Sequence, residues 1–258
     1  MKKIIIALSI MLCSCISHAG TRLPSVPDSK YLEFGQKFTC VEKVEVDYGI
    51  IKDGRKLVGF ASCVILNDEW VLTSAHVALG AKKIHILHNN KKYFVEKMVI
   101  HKDFDMTGKK VRSILDPMSD VALCKLSEKL TDFDAAIFAD TNVKVLGKIV
   151  SFCGFGVTGT FVTGGVEWDY KKRGGLNIIS GIQEDLLLAK TSKKEKHTSL
   201  EMLVGGGDSG GGVFIDGYLV GIVCFIRSSD DTNSDYGDVN GFIALRKYKG
   251  WINDILEE

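Results

Sequence analysis

Apolar residues recur along this chain in short runs broken by glycine, asparagine, aspartate and lysine, with almost no helical period. Residues 37–46, 56–66, 83–87, 93–100, 121–126, 143–152, 176–179, 186–189, 213–215, 218–226 and 241–245 each read as a strand. Many short strands at this spacing imply a sandwich or a barrel. Residues 247–256 break the pattern, because Tyr248, Trp251, Ile252 and Ile255 fall on one face of a helix there.

The N-terminal stretch is of another kind. Lys2 and Lys3 precede the apolar residues 4–12, and Ser17-His18-Ala19 forms a small-x-small cleavage site before Gly20. That is the pattern of a signal peptide over residues 1–19, and it implies a secreted or periplasmic protein. A second reading stands beside it: Leu12-Cys13-Ser14-Cys15 resembles a bacterial lipobox, which would make Cys15 a lipidated N terminus on a membrane surface. No later stretch approaches the roughly 18 apolar residues that cross a bilayer, so no transmembrane segment is expected.

Composition narrows the picture only a little. With 258 residues, 45% of them hydrophobic and 25% charged, the chain has room for one or two cores. The formal net charge of +1 gives no reason to expect nucleic acid as a partner. Gly154-Phe155-Gly156-Val157-Thr158-Gly159 fits G-x-G-x-x-G, yet no helix pattern follows it, so no dinucleotide cofactor is expected. His85 and His88 stand three apart on a strand and point to opposite faces, which rules out joint chelation and leaves surface histidines and no metal. Lys171-Lys172-Arg173 and Lys193-Lys194-Glu195-Lys196 read as solvated loop tips.

Chemistry concentrates in three places. Gly205-Gly206-Gly207-Asp208-Ser209-Gly210-Gly211-Gly212 sets one hydroxyl and one acid among glycines, which suits a nucleophile with the N–H groups of Gly207 and Ser209 turned toward an oxyanion. Alone, such an octad reads sooner as a linker or turn than as a site, and it lacks the lysine of a phosphate loop. The run from Glu69 to Val77 ends in small residues and then His76, an imidazole placed just past a strand end for general-base work. Asp120 leads directly into the apolar strand Val121-Ala122-Leu123, where it can be half buried and orient the base, whereas Asp116 precedes Pro117 and reads as a turn.

Thr73-Ser74-Ala75-His76, Asp120-Val121-Ala122-Leu123 and Gly207-Asp208-Ser209-Gly210-Gly211, in the order His, Asp, Ser, resemble the trypsin/chymotrypsin-type serine proteases. The likeness runs from about Gly59 to the C terminus and includes His101-Lys102-Asp103-Phe104. It implies an all-β fold of two six-stranded antiparallel β-barrels with a C-terminal helix. Residues 20–35 would then be an N-terminal extension, 36–130 the first barrel with His76 and Asp120, and 131–258 the second barrel with Ser209. It further implies a polypeptide substrate, Ser209 as nucleophile, His76 as base and Asp120 as its orienting acid. The primary pocket would have Leu203 at its floor, Ile226 at its mouth and Asn240 on the opposite wall, a short apolar site; a shift of two residues would bring Asp238 to that wall instead.

Several residues depart from the family pattern. Val77 stands where animal members have a cysteine, Gly212 where a proline is usual, and Cys224 where a serine supports the catalytic acid. No Ile-Val-Gly-Gly activation sequence appears, so Asp208 has no evident partner. Cys40, Cys63, Cys124, Cys153 and Cys224 are odd in number, and Cys63, Cys124 and Cys224 fall in apolar runs as small buried hydrophobes. A catalytically silent relative that uses the fold as a binding module or adhesin is the alternative function.

Overall fold

The computed structural model describes residues 20–50, 54–105, 119–191, 198–228 and 234–257. Residues 1–19, 51–53, 106–118, 192–197, 229–233 and 258 lie outside them, and with these the leader, Cys15, Asp116 and Lys193 to Lys196. Thr21–Arg22 forms β1 and Asp28–Gly35 forms α1. The first unit then comprises β2 (Val41–Ile50), β3 (Lys56–Ile65), β4 (Trp70–Thr73), the single turn α2 (Ala75–Ala78), β5 (Lys83–His88), β6 (Lys91–Ile100) and β7 (Ala122–Leu126). Its strands close as a six-membered barrel in the order β2-β3-β4-β7-β6-β5.

Alternation explains the closure. Ile84, Ile86 and His88 of β5 point inward while Lys83, His85 and Leu87 do not, so one face lines a core with Val44, Val46, Cys63 and Cys124. Asn89 and Asn90 make the β5–β6 turn with φ of 47° and 60°, the left-handed pair that a two-residue hairpin needs. The same parity corrects the surface reading of His88. It is 4% exposed, with Nδ1 2.8 Å from Glu42 Oε1 and Nε2 3.1 Å from the Thr131 carbonyl. His85 is half buried, edge-on to Phe94.

The second unit contains β8 (Ile149–Gly154), β9 (Thr158–Thr160), β10 (Gly164–Glu167), β11 (Arg173–Ile178), β12 (Gly181–Gln183), β13 (Leu186–Lys190), β14 (Met202–Leu203), β15 (Gly212–Ile215), β16 (Tyr218–Arg227), β17 (Val239–Ala244) and α3 (Lys249–Leu256). Here the expected closed barrel is a half-barrel, a seven-stranded sheet ordered β11-β8-β15-β16-β17-β13-β12. β11 and β12 stand at the two edges of this sheet and do not pair with each other, and β13 is taken on both sides by β17 and by its short hairpin partner β12. A separate sheet, β10-β9-β1-β14, carries the N-terminal residues into the second unit. Tyr31 of α1 is buried in that unit's core and donates from its hydroxyl to the Glu201 carbonyl at 3.0 Å.

Helix α3 covers the seam with the apolar face expected of it: Tyr248, Ile252 and Ile255 join the shared core of Trp70, Leu72, Leu123, Phe214 and Ile222, with Trp251 packed against it. Arg173, expected on a solvated tip, is 5% exposed and forms paired hydrogen bonds to both Asp28 and Asp169 at 2.7–2.8 Å. Two acids hold one guanidinium inside, because an unpaired buried charge is costly.

Candidate active site

His76 sits on α2, three residues after β4 ends at Thr73, with Ser74 beginning the turn. Ser74 does not cap that helix; its hydroxyl instead donates to the Val223 carbonyl on β16 at 2.8 Å and ties the two units at this point. Asp120, fully buried just before β7, accepts the His76 backbone N–H at 2.8 Å on Oδ1 and lies 2.7 Å from His76 Nδ1 through Oδ2. The Cys224 thiol donates to the same Oδ2 at 2.9 Å, so cysteine fills the supporting place with a weaker donor than a hydroxyl. Burial alone would raise the Asp120 pKa, but the His76 charge and these three donors outweigh it and hold the carboxyl below its ordinary value. Conversely, burial would lower the His76 pKa, and the Asp120 carboxylate reverses that and raises it.

Ser209 enters from the other unit. Its carbonyl accepts the Ser62 N–H of β3 at 2.9 Å, and the next N–H, that of Gly210, donates to Val223 at 2.9 Å. The Gly206 carbonyl accepts from the Val157 N–H at 3.2 Å. In a trans peptide the neighbouring N–H points the opposite way, so the Gly207 N–H faces away from Val157, with Gly207 at φ 97°. Neither that N–H nor the Ser209 N–H has an acceptor among the described residues. His76, Gly207 and Ser209 line one cleft of about 470 Å³ with Phe60, Trp168 and Tyr170. The Ser209 hydroxyl makes no hydrogen bond among the described residues; such contacts are often long in a protein without ligand and tighten around substrate.

Beneath the loop lies Asp208, buried and surrounded by glycine. Gly156 N–H donates to Oδ1 at 2.7 Å and Gly205 N–H to Oδ2 at 3.0 Å, and the Gly20 N–H is a third donor. Burial still pushes its pKa up to about 6, with those N–H groups and distant Arg173 opposing. The partner that sequence reasoning could not name is therefore backbone, and the end of the chain's described part supplies some of it. The G-x-G-x-x-G match finds its cause here: a Cβ on Gly154 would stand 2.4 Å from Asp208 Oδ1, and one on Gly156 2.5 Å from Oδ2.

The three residues expected around the primary pocket lie apart from that cleft. Leu203 is fully buried in β14, paired with Thr21. Asn240 is fully buried too; its amide accepts the Val204 N–H at 2.9 Å and donates to the Met202 carbonyl at 3.3 Å. Ile226 is half buried and pairs with Asn240 across β16 and β17. Sequence reasoning missed the aromatic wall of the cleft, where the Phe60 ring centroid lies 4.7 Å from that of Tyr170 and 5.9 Å from that of Trp168. Trp168 and Tyr170 sit in no strand, and only the run of aromatics after β10 could have marked them. The five cysteines among the described residues, Cys40, Cys63, Cys124, Cys153 and Cys224, are free and buried. Among the described residues no cluster of three His, Cys, Asp or Glu side chains is placed to hold a metal, and no helix is long and apolar enough to cross a membrane.

Residues 61–222 match the family of trypsin-like peptidase domains. No curated protein matches the chain. Among solved structures the chain is similar to HL collagenase, at 18% identity and a TM-score of 0.65 over 86% of this chain and 94% of that one. It is also similar to neuropsin, a serine protease expressed in the limbic system of mouse brain, at 18% identity and 0.62 over 86% and 96%. A scabies mite inactivated protease paralogue is similar at 17% identity and 0.64 over 86% and 94%. At such identities these likenesses carry the fold alone.

The close approach of Gly156 to Asp208 makes a direct test. Gly156→Ala should lower the unfolding free energy by about 1–3 kcal/mol through overpacking. Gly250→Ala, on a helix with open space around it, should raise it by up to about 1 kcal/mol. Denaturant titration of both variants reads the two signs, and a neutral Gly156→Ala would contradict the packing described.

Proposed function

This chain belongs to the family of trypsin-like peptidase domains, and on that footing we propose that it is an exported serine endopeptidase working through Ser209, His76 and Asp120. Ser209 Oγ attacks the scissile carbonyl while His76 takes its proton, and the bond to the leaving amine breaks as His76 returns that proton. Water then enters, loses a proton to His76 and releases the acyl group from Ser209. Asp120 holds the imidazole with Nδ1 protonated and balances the imidazolium. The N–H groups of Gly207 and Ser209 stabilise the oxyanion of each tetrahedral intermediate. The observation that carries this reading is the 2.7 Å contact of His76 with a fully buried Asp120, in a cleft that Ser209 shares.

A fluorophosphonate probe should label the wild type and fail to label Ser209→Ala. Asp120→Asn should cut kcat by about 10⁴. Because the carboxylate raises the His76 pKa and the base works unprotonated, kcat/KM should fall as pH drops through a value above that of ordinary histidine. Asp120→Asn should move this limb to lower pH. Full activity of Asp120→Asn would reject the assignment.

Activation follows from Gly20. Cleavage between Ala19 and Gly20 turns the N–H that faces Asp208 into an ammonium, which matches the buried carboxylate charge for charge. A chain beginning at Gly20 should be active without another cut, and two residues added ahead of Gly20 should lower activity by at least about tenfold. Dependence on a further internal cut would refute this.

On the acyl side, the family resemblance alone carries the short apolar pocket of Leu203, Ile226 and Asn240, since Leu203 and Asn240 are fully buried and none of the three lines the cleft of Ser209. A lysine or arginine there would lose hydration without a counter-charge. Peptide libraries varied at that position should show Ala and Val favoured; cleavage after Arg or Lys about tenfold faster would reverse the reading, a difference of about 1.4 kcal/mol.

A further inference from the structure

Ser119, the residue immediately before Asp120, has a φ of 45°. A residue with a Cβ adopts that left-handed conformation at a cost and keeps it only where surrounding contacts enforce it. Val121 N–H donates to the Ser119 carbonyl at 2.7 Å, so the chain makes a tight turn about Asp120. On the far side of the turn, Ser119 Oγ lies 3.2 Å from the Tyr248 hydroxyl, and that hydroxyl is bonded to Asp185 Oδ2. All three side chains are buried.

Proton counting gives the chain a direction. The Asp185 carboxylate only accepts, so the single Tyr248 proton goes to it, and the Ser119 hydroxyl must donate to Tyr248. Asp185 is anchored in turn where its carbonyl accepts the Ala244 N–H at 2.7 Å. The Tyr248 ring is clamped as well: His101 stands edge-on to it at 5.0 Å and to Trp251 at 5.0 Å. His101 donates its own N–H to the Val121 carbonyl at 3.0 Å, which returns the contact to the segment that bears Asp120.

We propose that Tyr248, fixed by Asp185, is a positioning residue for Asp120: it holds Ser119 in the left-handed conformation that turns the Asp120 carboxylate onto His76. The proposal rests on the peptidase reading for its kinetic consequence and on geometry alone for its structural one. Support through the backbone matters here because the side-chain support from Cys224 is a thiol, a weak donor.

A double-mutant cycle of Ser119→Ala and Tyr248→Phe in the full chain tests it. Each single variant should lower kcat by about tenfold with KM within about twofold, and the double variant should be no worse than either. In a Ser209→Ala background, the downfield proton resonance of His76 Nδ1–H should shift or broaden on Tyr248→Phe, a readout that needs no activity. Asp185→Asn keeps an acceptor oxygen for Tyr248 and should lose less than Asp185→Leu, which serves if Tyr248→Phe does not fold. Losses that multiply in the cycle, or an unchanged resonance, would overturn the proposal. A wild type that takes no fluorophosphonate, together with a resonance that still shifts on Tyr248→Phe, would reject the peptidase reading and leave the positioning one standing.

Discussion

A carboxylate taken out of water has to be met by donors, and Asp208 meets this demand with backbone alone. Its N–H partners come from Gly20, Gly156 and Gly205, three separate stretches of chain brought to one buried point. Glycine is required at two of its neighbours, Gly154 and Gly156, because any side chain would occupy the space of the carboxylate. The loop that carries Ser209 is stretched over this point, so the position of Ser209, the path of residues 154–156 and the entry of β1 into its sheet are set by one desolvated group. The same constraint explains why the N-terminal strand, only two residues long, is bound between β9 and β14.

Most of this arrangement was legible in the amino-acid order, and the failures have causes. Strand parity in β5 placed His85 and His88 on opposite faces correctly, but parity says nothing of which face is inside. His88 shares its face with Ile84 and Ile86 and goes in with Glu42 as partner. Arg173 sits in a basic triplet that looks solvated until Asp28 and Asp169, one of them 145 residues distant, are seen beside it. Helix α1 is short and begins at Pro27 without a side-chain cap, so no local signal announced it; it is held by the burial of Tyr31. Candidate catalytic residues were legible because each is flanked by small or apolar residues that have their own reasons to be there. Trp168, Tyr170 and Phe60 were not, since the wall they build exists only once two units meet.

The two units meet through polar contacts as well as through the shared core under α3. Ser74 reaches Val223, the Ser62 N–H reaches Ser209 and the Ser62 hydroxyl reaches the Gly207 carbonyl at 2.8 Å. Each links the β3–α2 region to the loop of Ser209 or the strand beside it. A closed barrel and a half-barrel are therefore registered to each other beside the cleft that His76 and Ser209 share. Rigid elements carry the hydrogen-bonding groups, and small side chains allow the backbones to come close enough to use them.

The five cysteines among the described residues are all free and all buried, with Cys63 and Cys124 inside the first barrel and Cys224 against Asp120. Cross-links stabilise small exported domains largely by shrinking the disorder available to the unfolded chain. No cross-link joins these five thiols, and the described part of the native state is held against the disorder of the unfolded chain by burial, hydrogen bonds and ion pairs such as those of Arg173. These thiols, with pKa values pushed up by burial, offer little thiolate to any oxidant that reaches them.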